Sequence, residues 1–566
     1  MRQTIGTFLL RRLEEVGVRH IFGVPGDYNL ELLQQLEDAG RLEWVGNCNE
    51  LNASYAADGY ARLAGLGVVV VTNGVGALSA LNGIAGSFSE HVPVICICGA
   101  VPQSTRDHGN LMHHTLADDS FDPFYKTFSE VTTAQAQISP ENAAIEIDRL
   151  ILTAWRRKLP VYLELPSDIA YLSIEVPETP LVLAYTPSDE LSLKSCSQKI
   201  ISRLRDASSP LLLLGIDALR FRVVNQVEAL AKKLQIPVAL MTEAKGIFPE
   251  QSPLYAGMYG GAASNPALCD LIEKSDCLLT IGFRRVDWNT GFFTDKIPGN
   301  AIHLRGHSVD VDNENFQAVF LVELLTTLVK EAPTTSKQPR GPFIEAKKPS
   351  LPTPNQGPLR QKEYWQAIQQ FIQPGDVLIA EAGTSGGGAL GLTLPPGTTF
   401  VNQLIWGSIG YTVGCLLGTL LAAPGRRHVL LVGDGSFQLT AQEISTIRRL
   451  NLKPFILLIN NGGYTVEKTI LGRNAKYNEV ANWRYTDLVK SFCRTNEINT
   501  SVVNNSEELD RALSFSLNRM TFVEVVMSPN DSPVNVVRSG HAAAKLNYGA
   551  LGPQLVAGAQ IVEHEY

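Results

Sequence analysis

Residues 427–467 constrain the fold of this chain more than any other segment, because apolar runs and turns alternate in them without interruption. The segment reads RHVLLVGDGSFQLTAQEISTIRRLNLKPFILLINNGGYTVE, and its apolar runs at 429–432 and 455–459 flank one helical stretch. Thr440 and Glu443 have the spacing of a capping box in front of that helix. Short apolar runs bounded by turns are typical of buried parallel strands. The pattern therefore predicts a βαβ unit.

Polar residues follow both predicted strands. Asp434 ends the first run within Gly-Asp-Gly, and Asn461 ends the second. A right-handed crossover places both at the carboxyl ends of parallel strands, where open α/β sheets bind ligands. A carboxylate, an amide oxygen and a backbone carbonyl suit Mg²⁺, which takes its other ligands from water and substrate phosphates. Gly433 and Gly435 would let backbone N–H groups approach those phosphates.

The composition is that of an ordinary globular protein, with 45% hydrophobic and 18% charged residues. At roughly 150 residues per domain, a chain of 566 residues is expected to contain several domains, and we expect three. A net charge of −8 and the lack of a basic patch argue against nucleic acid as a partner. The eight cysteines are scattered without metal-ligand or disulfide spacing, which favours a reducing cytoplasm.

The N-terminal segment does not have the pattern of a secretory signal. Residues 1–18 place Ile5, Phe8, Leu9 and Leu13 on one helical face and carry charges, so an amphipathic helix is expected. No apolar run reaches about 18 residues, so we expect no membrane span.

Strands alternate with helices in three regions, which is the pattern of doubly wound α/β domains with parallel sheets. We place these domains at residues 1–180, 190–340 and 360–566, with a Pro-, Lys- and Ser-rich linker at 341–359. The predicted strands outside the first segment are 20–24, 44–45, 68–72, 92–97, 161–165, 210–216, 238–241, 277–281, 301–304, 377–380, 399–402 and 522–526.

The two ends of the chain look duplicated. Residues 67–97 repeat the order strand, glycine turn, helix, proline and strand of residues 427–467. The alternative is that all βαβ units share this layout. In the middle region no Gly-x-Gly-x-x-Gly motif follows a strand, so we expect no dinucleotide there, but a structural or regulatory role. Beyond Pro529 the pattern is poor, and both a helix and a loose closure are compatible with it.

Further motifs accompany the first one in a fixed order. Glu50 lies in NCNELNASYAADGYAR at a predicted helix start, where an acidic residue usually only stabilises the helix dipole. Upstream, FGVPGD ends in Asp27, and downstream GNLMHHTLAD contains His113 and His114. With GDGS and the later Asn pair, these segments resemble the thiamin diphosphate-dependent 2-oxo-acid decarboxylases, the group of the pyruvate, indolepyruvate and phenylpyruvate decarboxylases.

This resemblance covers residues 19 to about 526 and implies a pyrimidine-binding domain, a middle domain and a diphosphate-binding domain, the first and third being related. It implies that thiamin diphosphate lies between the first domain of one subunit and the third domain of another. A homodimer would then be the smallest active unit, and a homotetramer is usual. Asp434, Asn461 and the carbonyl of Gly463 would hold Mg²⁺. Gly462 departs from the family, which often has a charged residue at that position.

The resemblance also implies catalytic roles for five side chains. Glu50 would hydrogen-bond to the pyrimidine ring and activate it, and Glu467 would take part in protonation and aldehyde release. Asp27, His113 and His114 would fix tautomers and donate protons. The other residues implied to contact the cofactor are Thr72, Thr384, Ser385, Gly407, Ser408, the apolar wedge Ile409, Gly433, Gly435, Ser436, Asn461 and Tyr464.

The implied substrate pocket departs from the family in bulk. Small residues stand at 382 and at 386–388, where family members carry larger ones, and Trp288 is expected to lean into part of the vacated space. This favours bulky or aromatic substrates such as phenylpyruvate, indolepyruvate or long or branched 2-oxo acids. The alternative is that the glycines only form a flexible loop. The pocket residues are Trp288, Ala382, Gly386, Gly387 and Val466.

The predicted activity is the non-oxidative decarboxylation of a 2-oxo acid to an aldehyde and CO₂. One alternative is a carboligating synthase, which the adjacent histidine pair disfavours. The other is a catalytically silent thiamin-binding scaffold, which the presence of Glu50 and Glu467 disfavours. The expected partners are a small 2-oxo acid and further copies of the same chain.

Overall fold

The computed structural model describes residues 1–118, 120–334, 356–493, 497–549 and 551–552. The predicted linker at 341–359 is therefore described only from residue 356 onwards. The chain folds into two compact units. The first comprises Met1–Tyr185, Gly410–Arg426 and Leu439–Leu452, and the second comprises Thr186–Ile409, Arg427–Gln438 and Lys453–Tyr566.

A sheet of six parallel strands forms the centre of the first unit. Its strand Gly67–Thr72 is buried along its whole length, as expected inside a parallel sheet. The predicted strands of this region are confirmed with small shifts of their ends. A separate antiparallel pair joins Arg2–Thr4 to Ser173–Glu175. In spatial order the six strands are Glu43–Gly46, His20–Gly23, Gly67–Thr72, Val94–Ala100, Val161–Pro166 and Ala134–Gln137.

The helices of the first unit include the predicted N-terminal one, which buries Ile5, Phe8, Leu9 and Leu13. The helix Glu50–Ala64, which follows Asn49, packs closely against the helix Tyr411–Ala422. A Cβ atom on Gly418 would lie 1.9 Å from the carbonyl oxygen of Ala56, so only glycine permits this approach. The helices are Ile5–Glu15, Leu30–Ala39, Glu50–Ala64, Val75–Ser89, Gln103–His108, Pro123–Ser129, Ala143–Arg157, Tyr411–Ala422 and Ile444–Arg449.

The second unit contains two sheets, of which the first has seven strands and is mixed. Its predicted strands are confirmed, and a hairpin that the sequence did not predict adds two antiparallel strands at one edge. The strands in spatial order are Tyr255–Tyr259, Val238–Met241, Pro210–Leu214, Cys277–Ile281, Ile302–Leu304, Ser308–Val311 and Glu314–Gln317. The helices of this region are Glu190–Asp206, Ile216–Arg220, Val224–Leu234, Pro266–Glu273 and Leu321–Glu331.

The other sheet of the second unit has six parallel strands. If the strands of each six-stranded sheet are numbered in chain order, this sheet and that of the first unit both follow the order 2-1-3-4-6-5. This confirms related first and third regions and the predicted α/β fold class with doubly wound parallel sheets. The strands are Thr399–Val401, Val377–Ala380, His428–Gly433, Phe455–Asn460, Met520–Val526 and Ile498–Val503.

The capping box predicted at Thr440 is wrong. The helix after the strand His428–Gly433 already begins at Asp434 and ends at Thr440. A 3₁₀ turn and the helix Ile444–Arg449 follow. The hydroxyl of Thr440 donates to the carbonyl oxygen of Gly410 at 2.7 Å instead of capping.

Two segments with open predictions are helical. The glycines lie in Thr384–Leu390, so the flexible-loop interpretation is wrong, and the tail forms the helix Val534–Tyr548. No described helix combines the length and the apolar character that a membrane span requires. The remaining helices of this region are Gln361–Phe371, Asp434–Thr440, Thr465–Ile470, Tyr485–Ser491 and Ser506–Leu513.

Candidate active site

Glu50 is the first residue of the helix Glu50–Ala64 in the first unit. Asn49 caps this helix, because its side-chain oxygen accepts a hydrogen bond from the N–H of Asn52 at 2.7 Å. The neighbouring residue therefore already satisfies a backbone donor at this end of the helix. Glu50 is half-buried and adds a negative charge to the first turn.

The side chains of Glu50 and Thr72 meet at Gly76. A Cβ atom on Gly76 would lie 3.1 Å from Glu50 Oε1 and 3.2 Å from Thr72 Cγ2. On the other side of Thr72, a Cβ atom on Gly26 would lie only 2.6 Å from Thr72 Cβ. Glycines thus bring Glu50, Thr72 and the turn before Asp27 into one cluster at the carboxyl end of the strand Gly67–Thr72.

Glu443, which the sequence assigned to a capping box, holds the turn before Glu50 instead. Its fully buried carboxylate accepts hydrogen bonds from Asn47 Nδ2 at 2.9 Å, from Asn52 Nδ2 at 2.8 Å and from the N–H of Cys48 at 3.2 Å. A local spacing signal could not have indicated this role, because the partners lie far away in the sequence.

Asp27 and His113 form a direct hydrogen-bonded pair, with His113 Nε2 2.8 Å from Asp27 Oδ2. Tyr28 orients the imidazole from its other side. Its hydroxyl lies 3.2 Å from His113 Nδ1 and donates to the His113 carbonyl oxygen at 3.1 Å. Burial raises the pKa of Tyr28 to about 12, so the hydroxyl keeps its proton at neutral pH.

His114 completes this cluster. Its ring centroid lies 4.6 Å from that of His113, and its backbone has φ 57°. Asn73 Nδ2 donates to the His114 carbonyl oxygen at 2.9 Å, and a Cβ atom on Gly74 would lie 2.1 Å from the same oxygen. The structure therefore brings together the predicted set of Asp27, His113 and His114.

Asp434 is one of the buried carboxylates of the second unit, with 2% of its surface exposed. Its Oδ1 accepts a hydrogen bond from the N–H of Gly435 and its Oδ2 one from the N–H of Gly462, both at 2.7 Å. Burial raises the pKa of Asp434, although the backbone N–H groups oppose this shift. Among the described residues no cationic side chain pairs with Asp434, and only backbone N–H groups of that part of the chain oppose the cost of burying its charge.

Asn461 and Gly463 flank Gly462, whose N–H donates a hydrogen bond to Asp434. Asn461 Nδ2 donates to Thr465 Oγ1 at 2.8 Å, so Oδ1 is the atom of this amide that a cation could bind. Gly463 must be glycine, because a Cβ atom there would lie 2.2 Å from the carbonyl oxygen of Asn478.

Gly435 serves packing and not only phosphate access. A Cβ atom on it would lie 2.6 Å from Tyr464 Cε1, and its N–H is already used by Asp434. Around Gly433, in contrast, no described atom lies within 4 Å of such a Cβ. Ser436 is buried next to this turn.

Other predicted residues of the second unit lie on two short elements. Glu467 is exposed on the helix Thr465–Ile470, and Val466 is half-buried there, with Cγ2 3.8 Å from a Cβ on Gly383. Ile409 is 37% exposed. The N–H of the preceding Ser408 donates to Gln403 Oε1 at 3.1 Å, and Gly407 has φ 64°.

The sequence predicted free space in the substrate pocket beside Gly387, and this prediction is wrong. Side chains of the protein fill the space beside Gly387 and Gly388. A Cβ atom on Gly387 would lie 2.2 Å from Val536 Cγ2, and one on Gly388 would lie 1.9 Å from Trp365 Cε2. Only Gly386 differs. Its Cβ would lie 2.7 Å from the Glu381 carbonyl oxygen, with no described side chain within 4 Å.

Trp288 does not fill the space at Gly386, because no atom of its ring lies within 4 Å of a Cβ atom built on that glycine. Its ring contacts Phe292 in the same turn, with centroids 5.1 Å apart, and is 36% exposed. Ala382 is half-buried, and its N–H donates to Glu381 Oε1 at 3.0 Å.

The C-terminal helix Val534–Tyr548 supplies contacts that the sequence did not predict. Beside Val536, Asn535 Nδ2 donates to the carbonyl oxygen of Gly387. A Cβ atom on Gly540 would lie 2.0 Å from Thr469 Oγ1. This helix therefore packs on both the glycine helix and the helix that carries Glu467.

We expect Gly387→Ala to lower the free energy of unfolding by about 1–3 kcal/mol, because the new methyl group overpacks against Val536. Val536→Ala removes the clashing Cγ2 and should recover part of this loss in the double variant. Chemical denaturation of the two single variants and the double variant measures the coupling. Additive losses would contradict a direct contact.

The donor set fits thiamin diphosphate with Mg²⁺. Thr72 Oγ1 and Ser385 Oγ are buried without a hydrogen-bond partner among the described residues, and both side chains were predicted to contact the cofactor. Buried polar atoms of this kind are costly unless a ligand satisfies them. Asp434, Asn461 and Gly463 offer the oxygen ligands that Mg²⁺ prefers.

Comparison with protein families identifies the class. Residues 3–121 match the N-terminal thiamine pyrophosphate binding domain of thiamine pyrophosphate enzymes, residues 197–331 match their central domain, and residues 381–525 match their C-terminal thiamine pyrophosphate binding domain. Each match falls within one of the three predicted regions.

Individual relatives define the class more closely. Pyruvate decarboxylase isozyme 2 of Saccharomyces cerevisiae is 37% identical over 96% of this chain and 99% of its own length. An alpha-keto-acid decarboxylase of Mycolicibacterium paratuberculosis is 39% identical over 94% of this chain and 95% of its own length. The chain belongs to the thiamin diphosphate-dependent 2-oxo-acid decarboxylases, which are carboxy-lyases.

Proposed function

We propose that this enzyme decarboxylates bulky or aromatic 2-oxo acids to aldehydes and CO₂ and that it requires Mg²⁺ with its thiamin diphosphate. The buried Asp434 carboxylate, which lacks a protein counterion among the described residues, is the observation that carries the metal assignment. A divalent cation on Asp434, Asn461 Oδ1 and the Gly463 carbonyl would compensate its charge and bind the diphosphate.

The protein's own groups would bind and orient the cofactor and manage protons. When bound, thiamin diphosphate supplies the carbon that adds to the keto group and accepts the electron pair left behind when CO₂ departs. Glu50 would hold a proton at the pyrimidine nitrogen, while Asn49 caps its helix and Glu443 holds the turn before it. Ile409 would hold the ring orientation as an exposed apolar side chain.

Two groups of side chains would move protons at the substrate. Asp27 and His113 are hydrogen-bonded, and one donor atom of His114 lies within 4.8 Å of both, so this cluster would pass a proton between its members. Glu467, which is exposed on its short helix, would assist aldehyde release. The cofactor contacts of Thr384, Ser385, Gly407, Ser408 and the Gly433–Ser436 turn remain part of the same proposal.

The preference for bulky substrates rests on the space at Gly386. A substrate side chain could lie over this glycine, because no described side chain lies within 4 Å of a Cβ atom built there and only the Glu381 backbone approaches it. Ala382 and Val466 complete the proposed pocket. At Gly387 and Gly388, in contrast, side chains of the protein already occupy the space beside the helix Thr384–Leu390, so a substrate could lie only on the side of Gly386. We keep Trp288 as a pocket residue in this proposal because its side chain is 36% exposed and could contact a substrate.

Val466→Phe is expected to lower kcat/KM for phenylpyruvate about tenfold more than for pyruvate, because overpacking costs about 1–3 kcal/mol and falls on the larger substrate. The assay measures CO₂ release from pyruvate, phenylpyruvate, indolepyruvate and a branched 2-oxo acid. Val502→Phe, at an exposed position of an edge strand, is the control. An equal loss for all substrates would contradict the pocket assignment, and a wild-type preference for pyruvate would contradict the bulky-substrate proposal.

We further propose a cytoplasmic homodimer or homotetramer, with domain boundaries near residues 180, 190, 340 and 360. The reducing-type cysteine pattern supports the compartment, since all eight cysteines are free thiols. Light scattering of the purified enzyme tests the assembly. A monomer with full activity would contradict it.

A further inference from the structure

We propose that Asp27, His113 and His114 form a second metal site in this enzyme, one that takes a transition-metal cation such as Zn²⁺. One ligand atom from each of the three side chains lies within 4.8 Å of the others. A cation at their centre therefore needs only small side-chain rotations to reach all three. This site shares no residue with the proposed Mg²⁺ site.

The chemistry of the donors favours a different metal at each site. Two imidazoles and one carboxylate suit zinc and related transition metals, and three protein ligands leave an open position for water or substrate. Asp434, Asn461 and Gly463 offer only oxygen atoms, which suit Mg²⁺. Micromolar Zn²⁺ in the presence of millimolar Mg²⁺ should therefore bind first at the histidine pair.

The first histidine is oriented in the way that metal ligands usually are. The hydroxyl of Tyr28 lies 3.2 Å from His113 Nδ1, and the Tyr28 ring stacks on the imidazole with centroids 5.1 Å apart. The other ring nitrogen of His113, Nε2, lies 2.8 Å from Asp27 Oδ2. Nε2 is therefore the atom of His113 that would bind the cation. Outer partners on the second ring nitrogen fix the tautomer and orientation of ligating histidines.

The second histidine is fixed through its backbone. His114 has φ 57°, its carbonyl oxygen accepts a hydrogen bond from Asn73 Nδ2 at 2.9 Å, and Gly74 allows the close approach. This conformation places the rings of the two adjacent histidines side by side, with centroids 4.6 Å apart. The three donors are therefore arranged before any cation arrives.

In the single chain the side chains of His113 and Asp27 are 57% and 47% exposed, so ions from solution can reach them. Binding would replace the proton shared by Asp27 and His113 with the cation, and the proton would go to solvent. Zn²⁺ would then inhibit decarboxylation. This consequence, unlike the binding itself, rests on the proposed proton-transfer role of the cluster.

Calorimetric titration of ZnCl₂ into the holoenzyme, with thiamin diphosphate and excess Mg²⁺ present, tests the site. We expect one Zn²⁺ per chain in the wild type and an affinity about tenfold or more weaker in His114→Gln and in Asp27→Asn. His108→Gln, at an exposed histidine on the preceding helix, is the control and should bind as the wild type does. Equal affinity in the wild type and both site variants would overturn the proposal.

Two further readouts separate this site from the others. Mg²⁺ and cofactor contents are measured after Zn²⁺ saturation; their retention supports a second site, whereas stoichiometric release of Mg²⁺ would place the zinc at Asp434 and overturn it. CO₂ release is followed in the same titration. Zinc binding that leaves this activity unchanged would support the metal site but contradict the catalytic role of the cluster.

Discussion

The Asp434→Ala variant is expected to lose Mg²⁺ and thiamin diphosphate together and to have no measurable decarboxylase activity. Asp434 is the only carboxylate among the three proposed metal ligands, so its removal leaves two neutral oxygen donors, from Asn461 and Gly463. Neutral donors alone bind Mg²⁺ poorly, and the diphosphate then lacks the cation that neutralises it. The cofactor affinity should therefore fall by orders of magnitude.

Structural damage has to be distinguished from this loss. Asp434 also accepts hydrogen bonds from the N–H groups of Gly435 and Gly462, so alanine leaves two buried donors without their acceptor. Asp434→Asn keeps the shape and one acceptor oxygen but removes the charge. Asp510→Ala, at an exposed position of the helix Ser506–Leu513, is the matched control.

Calorimetry with thiamin diphosphate and Mg²⁺ measures the affinities of all three variants, and circular dichroism checks their fold. Asp434→Asn should be folded, yet its affinity for the cofactor should be far lower than that of Asp510→Ala. If Asp434→Asn retained wild-type affinity for the cofactor and the metal, the carboxylate would not be a metal ligand.

The central strands could be predicted because they are buried on both faces and so form continuous apolar runs. Val238–Met241 and Cys277–Ile281 were predicted to the residue. Some strands at the edges were missed, as with Ala134–Gln137 and Glu314–Gln317, which are polar and partly exposed. An edge strand is held mainly by backbone hydrogen bonds on one side, and these leave no apolar signal in the sequence.

The candidate site was predictable where motifs that resemble a known family carry it, even when those motifs lie far apart in the sequence. Asp27, His113 and His114 were proposed together by resemblance, and the structure places them in one cluster. The prediction failed where distant segments fill space. The side chain beside Gly387 comes from Val536, and no local pattern relates these two positions.

Glu443 illustrates the same limit for polar groups. Its spacing from Thr440 suggested a local cap, because capping boxes are recognised within one turn of helix. Its partners Asn47 and Asn52 lie 396 and 391 residues away in the sequence, next to Glu50. A buried carboxylate takes whichever donors the fold brings to it, and the sequence does not indicate which donors these are.

Glu50→Gln is expected to slow exchange of the C2 proton of bound thiamin diphosphate by several orders of magnitude while the fold is retained. Glutamine can still reach the ring nitrogen, but it has no acidic proton to hold there. The packing at Gly76 and the cap by Asn49 do not depend on the charge of Glu50, so they should persist.

The competing role of Glu50 predicts a different outcome. If it only stabilises the helix dipole, the variant loses about 0.3–1 kcal/mol of stability and exchanges C2 at the wild-type rate. Glu37→Gln, at an exposed position of the same unit, controls for a general effect of lost charge. Hydrogen–deuterium exchange at C2, followed by NMR after acid quenching, compares the three proteins at equal cofactor saturation. Slow exchange in Glu50→Gln alone, at nearly unchanged stability, identifies the carboxylate as the group that activates the cofactor. Exchange at the wild-type rate would show that Glu50 only stabilises its helix.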